Sequence, residues 1–185
     1  MTYPIFVSSV QKEFQDERRA IKEFVHGDPL CRRYFNVFLF EDLPAADRRA
    51  DDMYLEEVDR CAIYVALLGN QYSADGGDRL SATEREFDRA TEKGTYRLVF
   101  IKGPDDERRD PRTVNLIRKA AGQLIRRRYT GTPDLTAKLY ASIVEYLEQK
   151  HHLASVPFDA APCYEATLAD ISARKVRWFL ETAHT

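Results

Sequence analysis

Hydrophobic positions along this chain recur in two rhythms, short unbroken apolar runs and wider stripes spaced three or four residues apart. Ile5-Phe6-Val7 is a run of β-prone residues and predicts a first strand. Val10, Phe14, Ile21, Phe24 and Val25 then fall on one helical stripe, predicting a helix from about Val10 to Val25. Tyr34–Phe40 (YFNVFLF) reads as a second strand, and Asp51–Arg60 as a helix with Tyr54, Leu55 and Val58 facing inward. Ala62–Leu68 is apolar without alternation, the pattern of a strand covered on both faces. A helix from Ala82 to Lys93, a strand Arg97–Ile101, a helix Thr113–Leu124 and a short edge strand Arg126–Tyr129 follow. The last domain helix begins near Pro133 and carries Leu135, Leu139, Ile143, Tyr146 and Leu147. Strands alternating with helices over short connections predict a mostly parallel sheet with helices on both faces. We assign this α/β domain to residues 1–150. Residues 151–185 read as a Pro-containing linker and a terminal amphipathic helix with Val176, Trp178, Phe179 and Leu180. That helix either packs back on the domain or starts a second one.

The polar punctuation marks one region above the others. Gly69 ends the most apolar strand, a polar loop runs from Asn70 to Leu80, and Ser81-Ala82-Thr83-Glu84 forms a capping box that launches a helix. A buried parallel strand leading through a loop into a helix puts that loop at the carboxyl edge of the sheet, where such folds keep their ligand sites. Ser8 and Ser9 follow the first strand and belong to the same edge. Arg18 lies between Phe14 and Ile21 on an apolar stripe, so it is either paired with an interior carboxylate or orients acids near the first loop. Glu41 and Asp42 end the second strand, facing solvent or lining a cleft.

Composition narrows the classes. With 28 basic and 30 acidic residues among 185, the net charge of −2 makes no global case for a nucleic acid or a membrane surface. Arg126-Arg127-Arg128 lacks the aromatic interleaving of a nucleic-acid face. Three cysteines at unrelated spacings suggest neither a disulfide framework nor a metal site, and His151-His152 reads as a solvated helix end. The amino terminus lacks the pattern of a signal peptide, and no apolar run approaches the roughly 18 residues of a membrane span. A reducing cytoplasm is the expected setting.

The combination of IFVSS, FQDER, LLGNQY and SATEREFDRA resembles the TIR-like domain of unknown function found at the amino terminus of bacterial proteins with a Schlafen/AlbA-type ATP-binding module. The resemblance spans roughly residues 4–150, and PFDAAPCYEATLADISARKVRWFLETA is similar to the connector that leads into that module. It implies a truncated piece or a stand-alone copy, with no ATP site, and no GxxxxGK[ST] loop is present. The wider kinship is to TIR domains and nucleoside deoxyribosyltransferases, which share a flavodoxin-like sheet. Enzymatic members of both groups cleave an N-glycosidic bond with a glutamate on the helix after this strand and loop. Glu86-Phe87-Asp88-Arg89-Ala90 meets their pattern, as Phe6-Val7-Ser8 meets the strand signature. Many enzymatic TIR domains carry an aromatic residue about one turn before the glutamate, where this chain has Ala82 and Thr83.

Helical angles alone leave Glu84 and Glu86 equivalent, flanking the stripe through Thr83, Phe87 and Ala90. Glu84 is expected to reach back to the Ser81 backbone N–H as a cap. The resemblance therefore assigns the catalytic carboxylate to Glu86, with Arg18, Ser81 and Glu84 structural beside it. Ser8 and Ser9 are candidates for ribose or phosphate, Tyr72 for stacking on a base, Asp42 for the cleft wall, and Gly69 and Asn70 for close approach of the loop. The implied activity is N-glycosidase action on NAD or a related nucleotide, in bacterial antiviral defence and switched on by self-association, with no cofactor and no metal. The competing readings are a non-catalytic interaction or ligand-sensing module regulating an attached ATP-binding domain, and an enzyme acting on free nucleosides.

Overall fold

The computed structural model describes residues 2–42, 50–73 and 80–153, with side chains left undescribed at 50–52. The expected terminal helix with Trp178 and the Gly-Gly loop at 76–77 lie outside these residues. In chain order the elements are β1 (Tyr3–Ser8), α1 (Gln15–Gly27), α2 (Cys31–Tyr34), β2 (Phe35–Phe38), a 3-10 turn (Phe40–Asp42), α3 (Ala50–Arg60), β3 (Ile63–Leu68), α4 (Ala82–Glu92), β4 (Tyr96–Lys102), α5 (Pro111–Ala121), β5 (Arg126–Tyr129) and α6 (Thr132–Gln149). The sheet has five strands in the order β2-β1-β3-β4-β5, every pair parallel. The predicted parallel α/β architecture is therefore observed, and its strand order is that of the flavodoxin-like, doubly wound class.

Burial follows from the period-two alternation of strands. Phe6, Tyr64, Ala66, Leu68, Val99 and Ile101 point to one face, where they pack with Val58 of α3, Phe87 and Ala90 of α4, and Leu116, Ile117 and Ala120 of α5. Their alternates Ile5, Val7, Ile63, Val65, Leu67 and Phe100 are equally buried on the other face. The stripes of α1 (Ile21, Val25) and α6 (Leu135, Leu139, Ile143) are buried too, and Phe24 of α1 meets Tyr140 of α6 edge to face. All six residues of β3 are buried, as its uninterrupted apolar run predicts.

Three boundaries differ from the sequence reading. The first helix starts at Gln15 instead of Val10, because residues 10–14 form a separate turn in which the Glu13 and Phe14 N–H groups donate to the Val10 carbonyl. Phe14 is still fully buried, so its stripe position held although the backbone there is not yet helical. Tyr34 ends the short helix α2 and Phe40 opens the 3-10 turn, trimming the second strand at both ends.

The described residues fall into a compact unit, Met1–Ile143, and a second unit that begins at Val144. Of the second unit, the end of α6 and its cap are described. His151 sits at φ 59°, its N–H donates to the Glu148 carbonyl, and the His152 N–H donates to the Leu147 carbonyl. That is a Schellman cap with a histidine in the left-handed position.

Candidate functional site

The strand order reverses between β1 and β3, and at that switch point a cleft of about 570 Å³ opens. Its walls come from the end of β1 and the turn after it (Ser8, Ser9, Gln11, Lys12), from Arg18, from Phe40 and Tyr54, from Gln71 and Tyr72, and from the first turn of α4 (Thr83, Arg85, Glu86). Glu86 is 5% exposed, and the Ser8 hydroxyl donates a short hydrogen bond to its Oε2. The sequence left Glu84 and Glu86 symmetric; the fold separates them. Glu86 turns into the cleft, while Glu84 is bound to Tyr72 and to Lys119 of α5 at 3.1 Å.

The electrostatics around Glu86 are read from its neighbours. Tyr54 is raised above its ordinary value of 10.0 by burial first and by the Glu86 charge second. Tyr64, fully buried beneath the cleft, is pushed well above the same value by the same two causes in the same order. Both phenols therefore keep their protons at neutral pH, and the Tyr54 hydroxyl already accepts a hydrogen bond from Gln11 Nε2 at 3.2 Å. Phe40 stacks on the Tyr54 ring with centroids 4.1 Å apart. An aromatic wall thus stands in the Glu86 cleft although α4 carries Ala82 and Thr83 one turn before the glutamate. Sequence reasoning placed Tyr54 only in the core, since the pair closes between a 3-10 turn and α3.

Arg18 organises this wall. Its guanidinium makes a bidentate pair with Glu41 (2.8 and 2.6 Å), donates to the Val7 carbonyl at 2.7 Å and to Ser9 Oγ at 3.1 Å. Burial alone would raise the Glu41 carboxyl, but the Arg18 hydrogen bond outweighs it and holds the carboxyl below its ordinary value of 4.5. Ser9 lines the cleft with its hydroxyl accepting from this arginine. The expected capping box at α4 is present in relayed form. Ser81 Oγ accepts from the Glu84 N–H at 3.1 Å, but the Glu84 carboxylate does not meet the Ser81 N–H directly. The Tyr72 hydroxyl stands between them, accepting from the Ser81 N–H (3.1 Å) and donating to Glu84 Oε2 (2.7 Å). Tyr72 also lies beneath the Arg112 guanidinium, 4.6 Å from the ring centroid, so one of its faces is already covered.

Three candidates lie outside the cleft. Asp42 pairs with Lys22 of α1 at 2.9 Å and lines a separate hollow with Arg19 and His26. Gly69 and Asn70 do not approach a ligand in the Glu86 cleft, because Glu13 occupies that approach. Its carboxylate accepts from the Asn70 N–H (2.6 Å) and the Gln71 N–H (3.0 Å), and a Cβ on Gly69 would sit 2.2 Å from its Oε1. The glycine is needed for a carboxylate from this same chain. Nearby, buried Arg109 donates to the Leu68, Gly69, Lys102 and Asp105 carbonyls and to Asp106, locking the loops after β3 and β4. No group of three or more His, Cys, Asp or Glu side chains among the described residues is placed to hold a metal ion, and none of the described helices is long and apolar enough to cross a membrane.

Sheet order, helix layers and a cleft at the switch point together define a flavodoxin-like α/β protein with its candidate site at the sheet's carboxyl edge. Within that class the chain belongs to the family described as Domain of unknown function (DUF4062), matched over residues 4–144. Among solved structures, it is similar to the CMP N-glycosidase BcmB of Clostridium botulinum, with a TM-score of 0.50 and 13% identity over 75% of this chain and 98% of that one. It also matches oxidised flavodoxin 1 from Bacillus cereus, with a TM-score of 0.39 and 13% identity over 79% of this chain and 98% of that one. No curated protein matches the sequence at a significant level.

Proposed function

We propose that this domain is a nucleotide N-glycosidase in which Glu86 acts at the sugar's anomeric carbon, with NAD or a related nucleotide as substrate. The observation that carries the reading is a buried carboxylate, fixed through one oxygen by Ser8, lining a cleft with an aromatic wall at the switch point of the sheet. Breaking the ribosyl–base bond sends its electron pair to the base and leaves positive charge on the sugar. A carboxylate held beside that carbon stabilises the charge or bonds to it, and water then completes hydrolysis to free base and ribose phosphate. A cationic nicotinamide leaves without further protonation, whereas a neutral base takes a proton from solvent. The Phe40–Tyr54 pair supplies an apolar wall for the base, and the protonated Tyr54 hydroxyl can donate to the sugar or base. A similar fold in a protein described as a CMP N-glycosidase supports the same reading.

The test is base release, followed chromatographically, from NAD and a panel of nucleotides at high protein concentration, with and without a crowding agent. Glu86→Gln should lower kcat by about 10³-fold while the variant still binds substrate. Release that survives the substitution removes Glu86 from the chemistry. Binding without release under every condition leaves a ligand-sensing module.

A further inference from the structure

Around the Glu86 cleft the charges are unequally distributed, and the inequality bears on the ligand. Three cationic side chains line it, Lys12, Arg18 and Arg85, against a single carboxylate among the described lining residues. Arg18 is spent internally on Glu41, Val7 and Ser9. Glu86 sits at the buried end, whereas Lys12 and Arg85 are exposed on opposite walls, one on the turn after β1 and one on the first turn of α4. Arg85 precedes Glu86 directly, about 100° round the helix, so the carboxylate faces inward where the guanidinium lies toward solvent. The cleft is therefore anionic at depth and cationic at its rim.

We propose that Lys12 and Arg85 form a phosphate subsite, so that the substrate is a phosphorylated nucleoside and free nucleosides are rejected. This rests on the glycosidase reading for the role of the sugar, but the rim charges stand independently of it. A ribose seated with its anomeric carbon at Glu86 and its base along the Phe40–Tyr54 wall has a 5′ substituent that projects away from the base. At the rim, a phosphate meets two cationic donors able to form charge-assisted hydrogen bonds. A bare 5′-hydroxyl gains little from them and leaves their charges uncompensated. The same rim charges attract anionic ligands from a distance in low salt.

Calorimetric titration of the Glu86→Gln chain with the pairs cytidine and CMP, and adenosine and AMP, isolates binding from turnover. Within at least one pair the 5′-phosphate should strengthen binding by roughly tenfold or more, and inorganic phosphate should compete. The gain should vanish in Lys12→Glu/Arg85→Glu and shrink in Lys12→Gln/Arg85→Gln, while affinity for the parent nucleoside stays the same. Both residues are exposed, so circular dichroism should report an unchanged fold. Equal affinity within both pairs overturns the subsite, as does a phosphate gain that survives the double substitution. Equal kcat/KM for CMP and cytidine with the wild-type chain would sink the subsite and leave the glycosidase standing. Preference for CMP without base release from any nucleotide would keep the subsite and sink the glycosidase.

Discussion

A carboxylate buried among tyrosines requires a donor, and Ser8 is the residue that supplies it to Glu86. Its hydroxyl fixes where the acid points, so Ser8→Ala should lower kcat by about 10²-fold through misplacement, with KM nearly unchanged; a matching rise in KM would make Ser8 a substrate contact. Gly69 is the other position where a single atom decides the outcome. A methyl group there collides with the Glu13 carboxylate, which must leave its two backbone N–H partners. Gly69→Ala should therefore cost about 1–3 kcal/mol in urea unfolding. The cost should fall to a few tenths in a Glu13→Ala background, where nothing remains to displace. Neither pairing was legible in the sequence, because Glu13 lies in a turn far along the chain from Gly69 and only the packed fold brings them together.

At the level of elements, the apolar runs gave strands and helices reliably wherever one pattern filled a whole segment. β3 is one such segment, and the five-residue stripe of α6 is another. Boundaries went astray where a stripe residue lies on a turn, as Val10 and Phe14 do, since burial does not require helical backbone. The site was half legible. A local motif marked Glu86 and its strand-loop-helix setting, but the aromatic wall and the relay through Tyr72 join segments that no spacing connects. Arg18 links two of these segments, the tip of β1 and the turn carrying Phe40. Arg18→Met should remove about 1–3 kcal/mol of stability and weaken ligand binding as Phe40 shifts. Arg18→Lys should rescue little, because an ammonium cannot reproduce the bidentate pair with Glu41.

For the molecule as a whole, the titration of its carboxylates sets an acid limit. Hydrogen bonds from Arg89, Arg128 and Arg112 hold Asp59, Asp106 and Asp110 below their ordinary value of 3.8, and Lys138 does the same for Asp134. Glu41 joins them through Arg18. A carboxyl whose folded value is depressed stabilises the fold above its unfolded value, and that contribution is lost as pH falls through the folded one. Melting temperature should thus change little from pH 7 to about 5 and fall progressively below about pH 4.5; a decline beginning near pH 6 would contradict this. Added salt should flatten the acid limb, since most of these pairs are exposed and screened.

β1 lies inside the sheet, hydrogen-bonded to β2 on one side and to β3 on the other. A ribosome therefore delivers this strand well before its second neighbour, which begins only at Ile63. Until then the strand that carries Ser8 to the cleft has one flank unmatched, and a nascent chain is vulnerable there to wrong pairing or capture by a chaperone. The catalytic machinery is thus among the first parts to be synthesised and among the last to be assembled.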